Sequence, residues 1–246
     1  LRVVACCVGA AEDLTAPALQ VGVLARHRNA AHQQSAQLRR EVRLAGTGAG
    51  AEVGEGRRGE TAHSCRESLR SPDAPGTDPE LVAAATTVVA ATGTADDYEW
   101  VLQRFRIPDT PQEQIRLLYA LAEFDDADLM RRTCELAFSG EVKTQNAPFL
   151  LNRCIANRFH GELAWSIVRQ HWTEANEKFP VNTIVRMVDS AKMLNSDVAE
   201  ADVQAFFGEH GIPQATKTLQ QVLERQRVNA ALRRRESEDL AAALTE

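Results

Sequence analysis

Three side chains near the middle of the chain carry atoms that bind metal ions: His160, Glu162 and His171. A zinc-binding histidine pair on a helix needs its members about one turn apart, at i and i+4, so that both nitrogens reach one ion. Eleven positions separate the two histidines, which corresponds to roughly 16 Å along a helix. The spacing favours one turn histidine and one surface histidine, and we predict no metal ligands in this chain.

Five cysteines offer sulfur for nucleophilic or redox chemistry. They are Cys6, Cys7, Cys65, Cys134 and Cys154. The number is odd and no Cys-x-x-Cys pair occurs, which favours free thiols in a reducing compartment over a disulfide framework. Cys134 and Cys154 fall on apolar helical stripes, so we predict buried small hydrophobes and not nucleophiles. We find no Gly-x-Ser-x-Gly, P-loop or dinucleotide-binding motif.

The charge balance and hydropathy restrict the partners of the chain. A net charge of -6 over 246 residues argues against a general surface for nucleic acid or anionic membrane, because both require clustered Lys and Arg. The best apolar window, "LVAAATTVVAA" from Leu81, is too short and too rich in threonine to span a bilayer. We therefore predict no nucleic-acid or membrane partner and a cytoplasmic location, with secretion as the minor alternative.

The composition changes sharply near Gly76. Residues 1–77 contain no Phe, Tyr, Trp, Ile, Lys or Met, yet they hold ten Arg and nine of the fourteen Gly. Such a segment has few groups to bury against its ordering entropy, so we expect a poorly ordered, low-complexity segment rich in Gly, Arg and Ala. The alternative is that this segment is not native to the fold and was translated from GC-rich DNA in an unselected reading frame. Residues 78–246 form the predicted folded domain.

Helix signals recur at nearly even spacing after Asp78. The predicted starts are Asp78, Thr94, Thr110, Asp125, Thr144, Asn182, Ser196 and Thr216. The predicted stops are Gly93, Gly140, Gly161 and Gly211, together with Pro108, Pro180 and Pro213. Apolar residues repeat at helical spacing between these signals, and no period-two alternation indicates a strand. We predict an all-α fold of eight or nine helices, the last one long, from Lys217 to about Ala243.

The start signals imply one helical hairpin every 32 to 40 residues. This period is typical of an α-solenoid of stacked helical hairpins of the HEAT or armadillo kind, in which each pair buries its apolar face against the next pair. A compact irregular bundle is the alternative architecture. Trp165 and Trp172 lie two turns apart on one predicted helix, so we expect them to form a core seam between neighbouring helices.

The residues around this tryptophan pair carry a family resemblance. The run "NAPFLLNRCIANRFHGELAWSIVRQHWTEANEKFPVNTIVRMV" resembles the C-terminal helical domain of zinc aminopeptidases of the puromycin-sensitive and endoplasmic-reticulum type, in the actinobacterial version. The matching positions are Gly161, Ala164, Trp165, Ile167, Trp172 and Phe179. The run "DVQAFFGEHGIPQATKTLQQVLERQRVNAALRRRE" resembles the closing helices of that domain, and the likeness covers residues 78–246.

The resemblance implies a solenoid bowl that closes over a catalytic domain, encloses the peptide chamber and helps to hold the distal end of a peptide. The family binds zinc through a His-Glu-x-x-His motif and grips the peptide amino terminus with a Gly-Ala-Met-Glu-Asn strand. This chain contains neither motif. We therefore expect it to be inert alone, with no cofactor of its own, and to act with peptides and with a zinc-bearing aminopeptidase catalytic domain on a longer chain.

Two arginines are the candidate substrate-binding residues. In the family, arginines just before the small-residue turn and the Ala-Trp pair can project into the chamber, and Arg153 and Arg158 occupy this neighbourhood. A guanidinium group suits a peptide carboxylate because it can donate two parallel hydrogen bonds. The alternative is that each is a surface arginine that stabilises a helix end. For the whole chain, the alternative function is a free-standing α-solenoid scaffold that binds protein partners.

Overall fold

The computed structural model describes residues 63–67, 69–70 and 79–243, with the backbone alone for residues 79, 81 and 238–243. Residues 63–67 and 69–70 are helical, and Leu69 is buried against Val82 and Val89. The rest of the predicted low-complexity segment 1–77 lies outside the described residues. The expectation of poor order there, and the boundary at residue 78, stay predictions.

Ten α-helices occupy residues 79–243. They are α1 (Pro79–Thr92), α2 (Ala95–Arg106), α3 (Pro111–Ala120), α4 (Ala127–Phe138), α5 (Ala147–Ala156), α6 (Gly161–Gln170), α7 (Trp172–Lys178), α8 (Val181–Val188), α9 (Asp197–Glu209) and α10 (Thr216–Ala243). Short 3-10 turns at Leu121–Glu123, Asp189–Met193 and Pro213–Ala215 continue or precede these helices. The part of the chain that the structure describes contains no strand, which confirms the all-α fold.

The helices form two layers that alternate along the chain. Helices α1, α3, α5, α8 and α10 follow one another in the first layer, and helices α2, α4, α6 and α9 follow one another in the second. Apart from the short α7, which follows α6 directly after His171, consecutive helices form hairpins that cross between the layers, and each hairpin packs on the next. The stacked-hairpin architecture predicted from the sequence is confirmed.

Polar contacts between neighbouring hairpins recur at a nearly constant separation. The Tyr98 hydroxyl bonds the Thr133 hydroxyl at 2.9 Å, and Asn152 donates to the Arg186 carbonyl at 2.8 Å; these partners lie 35 and 34 residues apart. Further along the chain, Gln226 Nε2 donates to the Leu194 carbonyl at 2.9 Å across 32 residues. These separations match the predicted hairpin length of 32 to 40 residues, because one full hairpin separates equivalent positions.

Most helix starts lie where capping chemistry predicts them. The Thr110 hydroxyl accepts from the Glu113 amide at 3.1 Å, and the Ser196 hydroxyl accepts from the Ala199 amide at 3.1 Å. Three predicted starts are displaced by one or two residues. Asp126, not Asp125, caps α4, and Asn146, not Thr144, precedes α5. These two shifts replace one capping residue by another nearby, whereas Pro180, not Asn182, precedes α8.

Gly161 is a correction to the predicted helix stops, because it begins α6. A Cβ atom on Gly161 would lie 2.4 Å from the Ile155 carbonyl oxygen, closer than any real contact. By contrast, Gly140 has φ +91°, the left-handed conformation expected of a glycine after a helix. The absence of a side chain at Gly161 therefore serves close packing of the turn between α5 and α6.

We expect Gly161→Ala to lower the free energy of unfolding by about 1–3 kcal/mol, because the added methyl group forces the Ile155 carbonyl and the start of α6 apart. Urea denaturation followed by far-UV circular dichroism measures this loss. Gly208→Ala is the matched control, since a Cβ there meets no atom within 4 Å and lies inside α9, where alanine is the better helix former. A Gly161→Ala protein as stable as the parent would contradict the close-packing role.

The two tryptophans form the expected core seam, although not on one continuous helix. Trp165 lies in α6 and Trp172 begins α7, with His171 at the junction. Both indole rings contact the same pair of rings, Phe206 and Phe207 on α9, at centroid distances of 5.3–5.7 Å. Trp165 is 2% exposed and Trp172 is 8% exposed. The last helix, Thr216–Ala243, agrees with the predicted long helix within one residue at its start.

Candidate functional site

The candidate arginines lie at the edge where first-layer helices turn into second-layer helices. Asn157 follows the end of α5 and fixes this turn from both sides. Its Nδ2 donates to the Ala122 carbonyl at 2.9 Å, and its Oδ1 accepts from the amides of Phe159 and His160 at 2.9 and 3.0 Å. The loop at residues 157–160 is thereby held against the preceding turn at residues 121–126.

Arg153 lies in the last turn of α5, and its side chain is 48% exposed. Its guanidinium carbon lies 4.8 Å from the centroid of the Tyr119 ring on α3. One terminal nitrogen lies 3.7 Å from a carboxylate oxygen of Glu123. A cation over an aromatic face beside a carboxylate is held in place, so Arg153 has a fixed direction and a partly neutralised charge.

The electrostatics of Tyr119 reflect this packing. Partial burial raises the pKa of the Tyr119 hydroxyl, and the positive charge of Arg153 opposes that rise. The tyrosine therefore stays neutral at physiological pH and presents a hydroxyl that both donates and accepts hydrogen bonds. A neutral phenol beside a guanidinium group is suited to polar atoms of a peptide and lacks the charge that would repel a carboxylate.

Arg158 lies on the Asn157 loop and is exposed. Its guanidinium carbon lies 5.3 Å from the ring centroid of Phe159, which is itself 61% exposed. Within the described residues no carboxylate lies within ion-pair distance of Arg158. Its five N–H donors are therefore available to a ligand, whereas the backbone that carries them is fixed by Asn157.

The structure places both predicted arginines at the same end of α5 but gives them different surroundings. Arg153 is engaged by Tyr119 and Glu123, whereas Arg158 is paired with an exposed ring alone. Their substrate-binding role stays a prediction. Sequence reasoning missed Tyr119, Glu123 and Asn157 as parts of this region. Each of these residues lies 30 to 35 positions along the sequence from the partner that it contacts, which is about one hairpin. This separation was the signal that could have identified them.

The three residues with metal-binding atoms each have a separate partner. His160 Nε2 lies 3.1 Å from Asp125, Glu162 accepts from the Ser196 hydroxyl at 2.6 Å, and His171 Nδ1 lies 2.7 Å from Glu174. His171 also stacks on Phe138 at 4.6 Å between ring centroids. Among residues 63–67, 69–70 and 79–243, no group of three His, Cys, Asp or Glu side chains is arranged to hold a metal ion.

Cys134 and Cys154 are buried, with none of their surface exposed. Burial raises the pKa of the Cys154 thiol well above its usual value, and the neighbouring Cys134 thiol raises it further. A thiol that stays protonated and inaccessible is a poor nucleophile. These two cysteines fill space between α4 and α5, which agrees with their positions on the apolar stripes.

These features define the class of the protein. It is an all-α domain of stacked helical hairpins that displays Arg158 on a fixed turn. No helix in the described part is both long enough and apolar enough to cross a membrane.

Comparison with known proteins places the chain within this class. Residues 11–228 match the family described as ERAP1-like C-terminal domain, and the chain belongs to this family. The matched range begins well before Asp78, where the resemblance noted in the sequence begins. The match therefore confirms the family resemblance, and the boundary predicted at residue 78 falls inside the matched range.

Curated relatives are aminopeptidases. The chain is similar to Aminopeptidase M1-A of Oryza sativa subsp. japonica, with 31% identity over 54% of the chain and 15% of the relative. It is similar to human Endoplasmic reticulum aminopeptidase 2, with 34% identity over 39% of the chain and 10% of the relative. For Aminopeptidase M1 of Arabidopsis thaliana the identity is 27% over 62% of the chain and 18% of the relative. The matched region thus spans between a tenth and a fifth of these relatives.

Proposed function

We propose that this chain is the non-catalytic, peptide-contacting wall of a zinc-dependent aminopeptidase, which encloses the peptide chamber and helps to position the distal end of the peptide. Membership of the ERAP1-like C-terminal domain family supports this assignment. The observation that carries it is Arg158, an exposed guanidinium group on a fixed loop with no carboxylate partner in the described part of the chain. Such a group is suited to a peptide carboxylate.

The proposal assigns the bond-breaking chemistry to another region. The sequence contains neither a His-Glu-x-x-His motif nor a Gly-Ala-Met-Glu-Asn strand, and the described residues do not fit a zinc ion. Zinc would belong to the catalytic domain of the longer aminopeptidase. The proposed partners are thus peptides and that catalytic domain, in the cytoplasm, and no nucleic acid or membrane.

Arg153 and Arg158 would have different tasks in peptide binding. Arg158 has all its donors available and would form the two parallel hydrogen bonds that a carboxylate accepts. Arg153 is already held by Tyr119 and Glu123, so it would contribute positive electrostatic potential and a rigid side chain next to the ligand. The Asn157 hydrogen bonds reduce the entropy lost on binding, because the loop is ordered before the peptide arrives.

The purified chain is expected to bind peptides without hydrolysing them. Isothermal titration calorimetry with a peptide and its C-terminally amidated counterpart measures the contribution of the terminal carboxylate. We expect Arg158→Ala to weaken binding of the free-carboxylate peptide about five- to tenfold, as for loss of a charge-assisted hydrogen bond, and to leave the amidated peptide unaffected. Arg131→Ala on the opposite layer is the control, because Arg131 is exposed and pairs only with Asp128 within the described residues.

Two results would contradict the proposal. Chelator-sensitive hydrolysis by the purified chain would show catalysis in the chain itself. Absence of peptide binding, together with a stable protein partner, would favour the α-solenoid scaffold. The genomic reading frame upstream provides a separate check, since we expect it to encode the zinc-binding and peptide-gripping motifs.

A further inference from the structure

Arginines recur at equivalent positions on three successive helices of the first layer. Arg116 lies on α3, Arg153 on α5 and Arg186 on α8, separated by 37 and 33 residues, about one hairpin each. Each arginine directly precedes two buried residues of its own helix, at positions 117–118, 154–155 and 187–188. The three arginines therefore occupy the same position relative to the buried face of their helices. We call this set the arginine row.

Contacts between the helices support this alignment. Arg153 reaches back to Tyr119 on the preceding helix α3, and its neighbour Asn152 donates to the Arg186 carbonyl on the following helix α8. The row thus runs across the layer, from helix to helix. Neighbouring packed helices lie about 8–10 Å apart, so consecutive positions in the row are about 10 Å apart.

Two members of the row have no acidic partner. In the described part of the chain, neither Arg116 nor Arg186 lies within ion-pair distance of a carboxylate. The Nε atom of Arg116 is buried and has no hydrogen-bond partner. Most other arginines of the described chain form ion pairs, for example Arg106 with Glu141 at 2.9 Å and Arg132 with Glu99 at 2.6 Å. The terminal nitrogens of Arg116 and the guanidinium group of Arg186 therefore remain available to a carboxylate of a ligand.

Apolar side chains lie on the same exposed side of these helices. Ile115 precedes Arg116 on α3, and Phe149 lies one turn before Arg153 on α5; both are 39% exposed. The surface therefore offers cations about 10 Å apart with apolar groups near them. A peptide in the extended polyproline II conformation rises about 3.1 Å per residue with three residues per turn, so side chains at every third position lie on one face about 9 Å apart, close to this spacing.

We infer that the arginine row binds acidic side chains of a peptide in the extended polyproline II conformation, with a preference for carboxylates at every third residue. This inference rests on the proposed peptide-binding function and adds the substrate class. Charge complementarity at the row determines the preference, because a chain with a net charge of -6 has no general attraction for an acidic peptide.

The test uses rhodamine-labelled peptides of about nine residues, acetylated and amidated so that no terminal charge contributes. One carries aspartate at every third position, which places the carboxylates on one face of a polyproline II peptide about 9 Å apart. A second has the same composition with adjacent aspartates, and a third has asparagine in their place. Fluorescence anisotropy is expected to show the spaced acidic peptide binding about tenfold more tightly than the neutral one at low salt, and less so as salt increases.

Substitutions in the arginine row test whether it causes the preference for the spaced acidic peptide. The double variant Arg116→Gln/Arg186→Gln is expected to remove this preference, with a melting temperature close to that of the parent. The control Arg131→Gln/Arg235→Gln removes two exposed arginines elsewhere and is expected to retain it. Arg186→Glu should favour a peptide with lysine at the spaced positions.

The outcomes separate the two proposals. Equal binding of the spaced acidic and neutral peptides would overturn the arginine row and leave peptide binding intact. A preference for acidic peptides that the double glutamine variant retains would also overturn it. Failure of every one of these capped peptides to bind would overturn the arginine row, whereas the calorimetric titration with the free-carboxylate peptide tests the proposed function separately.

Discussion

Trp165→Ala is expected to lower the free energy of unfolding by about 3–5 kcal/mol. The indole ring is 2% exposed and contacts both Phe206 and Phe207 on the next helix of its layer. Its Nε1 also donates to Asp202 at 2.8 Å. Alanine would leave a cavity between α6 and α9 and remove this hydrogen bond. Urea denaturation followed by far-UV circular dichroism measures the loss.

Two further variants separate the contributions of Trp165. Trp165→Phe keeps an aromatic ring and removes the donor, and it should cost less than alanine because Asp202 keeps its ion pair with Arg169 at 2.7 Å. Phe159→Ala changes an exposed aromatic residue on a nearby loop and should shift stability by no more than about 0.5 kcal/mol. A loss below about 1 kcal/mol for Trp165→Ala would contradict the role of this seam in the core.

Asp97→Asn is expected to cost about 2–4 kcal/mol at neutral pH, because it leaves Arg66 without its carboxylate partner in a partly buried position. Asp97 is 5% exposed and accepts from the Thr94 amide at 3.0 Å and from the Arg66 guanidinium at 2.9 Å. Burial alone would raise the pKa of Asp97, but the Thr94 amide and Arg66 outweigh it, and the pKa lies below its usual value of 3.8.

The direction of this shift determines how the effect depends on pH. A carboxyl group with a lowered pKa in the folded protein stabilises it fully above the ordinary pKa, and this contribution is lost as pH falls through the folded pKa. The difference between the parent and Asp97→Asn should therefore be largest at pH values above about 5 and shrink below about 4. Asp96→Asn changes the exposed neighbour in the same helical turn and should show little difference. A difference that grows towards acid would contradict the lowered pKa.

Local chemistry made most of the fold predictable from the sequence. Capping by Thr110 and Ser196 depends on residues within one helical turn, so their positions were predicted correctly. The displaced starts of α4 and α5 occur where two capping residues lie close together, as at Asp125 and Asp126. The choice between such neighbours depends on which start buries the apolar side of the helix, and that is a tertiary effect.

Tertiary contacts explain the errors at Gly161 and at the tryptophan helix. A glycine after a helical stripe indicates a stop, but the close approach of the Ile155 carbonyl to Gly161 comes from folding of the loop. The break between α6 and α7 is likewise absent from the residue pattern, since no Gly or Pro lies between Trp165 and Trp172. His171 at this junction stacks on Phe138 and pairs with Glu174, contacts that a sequence alone does not provide.

The segment that contains the candidate site could be predicted from the sequence, but the contacts of its side chains could not. The family resemblance indicated the region of Arg153 and Arg158, but no residue pattern distinguishes the arginine that contacts Tyr119 from the exposed one. Arg116 and Arg186 were not singled out because they lie in other hairpins, and their equivalence depends on helix packing. Comparing positions one hairpin apart, each followed by two apolar residues, would have found them.

The near-constant separation between contacting residues has a mechanical consequence. Among the side-chain hydrogen bonds of the described residues, the one from Lys178 to the Phe138 carbonyl has the largest separation along the sequence, 40 residues. Each hairpin is thus tied only to its immediate neighbours, and strain at one end is not transmitted directly to the other. Tension applied across the domain would peel hairpins away one after another, and each would release about 120 Å of extended chain.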